Sequence, residues 1–125
     1  LQMCINFLSE YQDYASAHGL YFHHSRYNKM QNHKFYIAPL YDEGRPSEEK
    51  TSAERVTAYL TGETVYYPMY AVHRASIFQL IWSETKKYVS DEGLSELFPC
   101  CLSFSYGKMK ILPLLIAYSM SCGLP

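Results

Sequence analysis

The chain has 125 residues, 48% of them hydrophobic and 18% charged, which fits one domain with its own core and excludes the polar, highly charged composition of a disordered segment. Eleven basic against twelve acidic residues leave a net charge of −1, so any attraction to nucleic acid or an anionic membrane must be local. A single domain over 1–125 is expected.

The opening stretch LQMCINFLSEYQDYASAHG places Leu1, Cys4, Ile5, Leu8, Tyr11 and Ala15 on one face at helical spacing, with Gln2, Asn6, Ser9, Glu10 and Asp13 opposite. Gly19 supplies a stop, and His18 falls on the apolar side. From 20 to 41 that period disappears; GLYFHH and KFYIAPLY read as edge strands or ordered loop. DEGRPSEEK, 42–50, collects turn formers and charges and reads as a loop. In TSAERVTAYLTG, Thr51 and Glu54 match a capping box and Gly62 closes a short helix whose inner face would be Ala53, Val56, Tyr59 and Leu60.

The longest periodic pattern begins at Pro68 and predicts a central helix near 68–89, with Tyr70, Ala71, Ala75, Ile77, Phe78, Ile81, Trp82, Tyr88 and Val89 on one broad arc. Arg74 falls inside that arc. A short helix over 91–98 would end at Pro99, and CLSFSYGKMKIL predicts a small antiparallel hairpin near 101–112, turning at Gly107 and Lys108. The apolar run ILPLLIAYSM is too short to span a bilayer and predicts a buried helix over 113–122. The expected fold class is mainly α, with α+β as the other reading.

Chemistry concentrates in YFHHSRYNKMQNHKFY, 21–36. No acidic residue lies between Asp13 and Asp42, while Arg26, Lys29 and Lys34 accompany His23, His24 and His33 among Tyr21, Tyr27 and Tyr36. Cations beside exposed rings suit an acidic protein partner, and equally the backbone and bases of a single-stranded nucleic acid. Tyrosine is abundant, at 13 residues, and combines a large apolar ring with a polar tip, as interface positions require. Tyr66 and Tyr67 in TVYYPMY, with Arg74 beyond, form a second candidate contact region.

No C-x2-C, H-x3-H or HExxH spacing organises the five histidines and four cysteines, so neither a metal nor another cofactor is expected. Cys4, Cys100, Cys101 and Cys122 allow three pairings in an oxidising compartment but read as buried thiols. With no visible secretory signal, this leans toward an intracellular setting.

Asp42 followed by Glu48, Glu49 and Lys50 resembles the acidic residue and E-x-K of metal-dependent nucleases of the restriction-enzyme type. That resemblance implies two carboxylates on a divalent ion and a lysine beside the attacking water, carried on adjacent strands. Arg26 and His33 are similar to the R-x4-6-H pattern of helical HEPN-type ribonucleases, which implies a pair projecting from a helix toward a phosphate and a 2′-hydroxyl. No nucleophile elbow such as G-x-S-x-G is present.

The sequence therefore predicts a noncatalytic interaction module that binds a protein partner, or a second copy of itself, through a tyrosine-rich and locally basic surface. A single-stranded nucleic-acid-binding domain and a nuclease of either resembled type are the alternatives. No membrane span is expected.

Overall fold

The computed structural model describes residues 1–26, 35–39, 46–63 and 68–122. Helix α1 (Gln2–Glu10) is followed by strand β1 (Tyr14–Arg26) and strand β2 (Phe35–Pro39). Helix α2 (Ser52–Leu60), a 3-10 turn (Pro68–Tyr70) and strand β3 (Val72–His73) come next. Helix α3 (Ala75–Tyr88), helix α4 (Leu94–Tyr106) and strand β4 (Lys108–Cys122) complete an α+β architecture.

Among the described residues the sheet is mixed and has four strands. β1 is antiparallel to β2, with Phe22 opposite Pro39 and Arg26 opposite Phe35, and antiparallel to β3, with Ser16 opposite His73. Its other edge runs parallel to β4 from Tyr14/Lys108 to Arg26/Cys122. Since Ser16 pairs with both His73 and Met109, β3 and β4 must flank opposite edges of β1, which makes β1 the central strand.

Three expectations are corrected here. The long helix of 68–89 is instead the 3-10 turn, β3 and the shorter α3. The break comes at Val72 and His73, which β1 recruits into its ladder, while Arg74 hydrogen-bonds through its N–H to the Ala15 carbonyl at 3.1 Å. The hairpin near 101–112 and the helix over 113–122 are replaced by α4, which runs through Pro99 to Tyr106, and by β4. A near-continuous apolar run is what a strand with a parallel neighbour presents. Pro113 is accommodated at a register irregularity: His18 pairs with Ile111, whereas Leu20 pairs with Leu115.

The first helix stops at Glu10 rather than continuing to Gly19, because residues from Tyr14 onward join the sheet. Tertiary pairing overrides the helical period there. The α2 expectation holds at its ends. Thr51 and Glu54 form the reciprocal capping box, and Gly62, at φ +78°, sits in the left-handed region; Gly62 N–H donates to Tyr59 O and Glu63 N–H to Ala58 O, a Schellman closure. Its buried positions, however, are Arg55 and Ala58; Ala53 and Leu60 are exposed.

Two core clusters lie on opposite faces of β4, following the alternation of a strand. Cys4, Leu8 and Ala17 pack with Phe7, Val72, Leu112 and Leu114 under α1. Phe104 and Met109 pack with Val56, Tyr59 and Ile111 under α2 and α4. α3 lies against α4 with Ile81 fully buried.

Two arginines tie these layers together through backbone carbonyls. Arg55, 7% exposed, donates to Phe104 O at 2.7 Å, Glu49 O at 2.9 Å, Lys50 O at 3.2 Å and Ser105 O at 3.4 Å. Arg74 donates to Tyr14 O at 2.8 Å, Tyr11 O at 2.7 Å and the Leu8 carbonyl. Phe104, Ser105 and Leu8 lie in the last turns of α4 and α1, where carbonyls lack intrahelical donors and a cation is favoured.

Candidate functional site

An open cleft of about 340 Å³ lies where the 3-10 turn, α3 and α4 meet. Met69 and Tyr70 line it from the turn, Trp82 from α3, and Ser95, Glu96, Pro99 and Cys100 from α4. The local sequence explains the placement. Pro68 is buried and fixes the turn that presents Met69 and Tyr70. Glu96 and Cys100 are one helical turn apart and so share a face of α4. Trp82 follows Phe78 at the same spacing, their rings edge to face at 6.0 Å, and Phe78 in turn lies 5.4 Å from His73.

The large side chains here are only partly covered: Tyr70 is 61% exposed, Trp82 43% and Phe78 38%. Leu80, Leu94 and Leu97 are exposed as well, at other positions around α3 and the start of α4. The periodicity reading placed Tyr70, Phe78 and Trp82 on a buried arc. Once the helix breaks at Val72, that arc cannot be covered by a single set of neighbours. Trp82 being the single tryptophan, and the run from Tyr88 to Gly107 carrying Asp91, Glu92 and Glu96 with no Lys or Arg, are the sequence signals that could have marked this region.

Cys100 is not a primed nucleophile. Burial raises its thiol pKa, and the nearby Glu96 charge adds to this against hydrogen bonds from Tyr59 and the Met69 backbone. The Ser95 hydroxyl, at the start of α4, donates to the carbonyl of Glu92 just before the helix at 2.5 Å.

A second set of polar groups is sealed inside. Ser16 and His73 are partners across β1 and β3, and the Ser16 Oγ and His73 Nδ1 atoms have no hydrogen-bond partner among the described residues; neither does Ser103 Oγ on α4. His73 Nε2 lies 2.6 Å from the Pro68 carbonyl, so Nε2 carries the proton and Nδ1 is the basic nitrogen. The serine–histidine pairing has the composition of a nucleophile and base, but Ser16 is 1% exposed, which denies a substrate access. His18, also buried, lies beside the Gly19 carbonyl.

Burial holds both histidines below their ordinary pKa of 6.5; backbone carbonyl contacts oppose this, and for His73 the neighbouring His18 adds to it. Above pH 6.5 both are neutral in the folded and unfolded chain and contribute no pH dependence. Below it the unfolded chain takes up protons that the folded one refuses, so stability falls as pH drops toward the depressed folded values. Urea midpoints at about pH 7.5 and 5.5 should differ, with a limiting slope of about 1.4 kcal/mol per pH unit for each histidine. The combined variant His18→Gln with His73→Gln should flatten that interval. An unchanged slope would assign it elsewhere; Asp13, Glu48 and Glu54, whose pKa values are lowered, act at more acidic pH.

Half of the residues singled out from sequence fall within the described residues, and they lie on several elements. Tyr21, His23, His24 and Arg26 lie in the distal half of β1, and Tyr36 lies on β2 opposite Ser25. Tyr27, Lys29, His33, Lys34, Tyr66 and Tyr67 lie outside the described residues. Arg74 spends its guanidinium on the three carbonyls that join α1 to β1.

Of the nuclease-like residues, Asp42 lies outside the described residues. Glu48 accepts from the Tyr14 hydroxyl at 2.5 Å and from Lys110 at 2.7 Å, whereas Glu49 accepts from Ser47 at 3.0 Å. Burial alone would raise the Glu48 pKa, but those two hydrogen bonds outweigh it. Arg26 lies in strand β1, not on the helix that the ribonuclease resemblance implies. Among the described residues no three His, Cys, Asp or Glu side chains gather as metal ligands, and no helix is long and apolar enough to cross a membrane. No family model, characterised protein or solved structure matches the chain.

Proposed function

We propose that this domain is a noncatalytic interaction module whose partner is a protein. The observation that supports this reading is the pair of partly exposed aromatics Tyr70 and Trp82 at the open cleft, with Phe78, also partly exposed, edge to face beside Trp82. Tryptophan and tyrosine are among the residue types that most often anchor macromolecular contacts. The basic, tyrosine-bearing 21–36 stretch is a second contact region in this reading, through Arg26, Lys29 and Lys34. Arg74 acts within the fold, holding α1 against β1.

Selection of peptides from a random library on the immobilised chain tests the proposal. Selected peptides should lose at least about tenfold in affinity on Trp82→Ala, as expected for an aromatic anchor worth more than 1 kcal/mol, with the unfolding midpoint nearly unchanged. Acidic peptides among them should also weaken on Arg26→Glu combined with Lys34→Glu. Peptides indifferent to both changes would place binding elsewhere. Tight binding of single-stranded RNA or DNA that collapses as salt rises would favour the nucleic-acid alternative instead.

A further inference from the structure

Among the residues that line the cleft, Glu96 is the one that carries a charge. Its carboxylate is uncommitted: the ion pairs among the described residues engage Asp13 and Glu48, and no hydrogen bond from another described residue holds it. An ionised carboxylate only accepts. The neighbouring Ser95 hydroxyl gives its hydrogen to the Glu92 carbonyl, so what its oxygen has left to offer is also lone pairs. These two polar groups call for a donor.

That bias sorts the side chains a protein partner could insert. An acidic or phosphorylated one would meet like charge, with neither Glu96 nor Ser95 able to donate to it. A neutral apolar one would suit Met69, Trp82 and Pro99 but would strip water from Glu96 and return nothing. A basic one answers both parts of the lining. Its aliphatic stem can lie along the apolar wall while its N–H donors form charge-assisted hydrogen bonds to Glu96 and Ser95.

We infer that the cleft receives a basic side chain, lysine or arginine, of the protein partner; this rests on the interaction-module reading. Two features oppose a cation: Lys86, one turn beyond Trp82 on α3, and the positive end of the α4 dipole. Neither is decisive. Lys86 forms no ion pair with Glu96, and the first amides of α4 are already served by Asp91, which accepts from Gly93 N–H at 2.8 Å and Leu94 N–H at 3.3 Å.

Because Trp82 is the single tryptophan and lines the cleft, its fluorescence reports binding there. Peptides are selected on the full chain from a random library made without tryptophan, and those that lose affinity on Trp82→Ala are kept. Each should carry lysine or arginine. Replacing that residue by its neutral counterpart, norleucine for lysine or citrulline for arginine, should weaken binding to the unaltered chain at least about threefold, as for a charge-assisted hydrogen bond in a partly exposed site. Glu96→Gln should erase the difference between each basic peptide and its neutral counterpart. The peptide comparison on the unaltered chain does not depend on any variant folding.

Trp82-dependent peptides that lack a basic residue, or that bind equally well with the neutral counterpart, would overturn the inference and leave the interaction module standing. A basic preference that survives Glu96→Gln would overturn it too, by placing the cation outside the cleft. N-acetylarginine amide binding as tightly as the selected peptides would overturn the protein source in favour of a small cation. Selection that yields no Trp82-dependent peptide would reject the inference and the cleft-centred interaction module together.

Discussion

Arg55→Ala should lower the free energy of unfolding by about 2–4 kcal/mol, as for backbone carbonyls stripped of a shared charged donor in a largely buried setting. The guanidinium joins three segments at once: α2, which carries it; the segment at Glu49 and Lys50 that leads into α2; and the last turn of α4 at Phe104 and Ser105. Removing it leaves those carbonyls without their donor beside the Phe104–Met109 core and opens a cavity where the side-chain stem packed. Arg55→Lys keeps the charge but not the planar fork, and should recover less than half of the loss. Urea unfolding followed by far-ultraviolet circular dichroism measures both, and a loss below about 1 kcal/mol would show the carbonyls rehydrating freely.

Gly107→Ala should cost about 2–3 kcal/mol, as for an added methyl group in a site with no room to relax. The reason is proximity, since Gly107 is extended, at φ 174°. A Cβ there would meet the Ala15 Cβ and the Ala15 backbone nitrogen, each at 2.8 Å. Neither can retreat easily. Ala15 is fixed by the Arg74 N–H to its carbonyl, and β4 is fixed beside it by Lys108 N–H to Asp13 O at 3.1 Å. Adding Ala15→Gly removes one of the two clashes, so the double variant should recover part of the loss but not all of it. Full recovery would mean that the backbone contact is harmless; no loss in the single variant would mean that the two strands can separate at this point.

The legible parts of the fold were those with local causes. Thr51, Glu54 and Gly62 announce α2 because a capping box and a left-handed glycine act within a few residues of themselves. The illegible parts were set by partners distant in sequence. Residues 14–18 continue a helical period, yet they are strand because Lys108–Ile111 and Val72–His73 pair with them. Residues 113–122 are apolar without alternation, and such a run does not distinguish a buried helix from a strand with a parallel neighbour. The site followed the same rule. The 21–36 stretch stands out by composition alone, whereas the cleft exists only once a turn and two helices bring Tyr70, Trp82 and Glu96 to one place. Arg74 was conspicuous as a cation in an apolar arc, and its role depended on carbonyls some 60 positions away.

The parallel pairing of β1 with β4 also governs how the molecule is made. Asp13 and Lys108, which meet at the foot of that pairing, are 95 positions apart in the chain. Closing so large a loop gives high contact order and slow folding. On the ribosome the central strand emerges early and must wait, one edge bare, until the last one has been synthesised. Through that interval the nascent chain presents an open strand template to its neighbours, and its yield in a cell depends on what shields it.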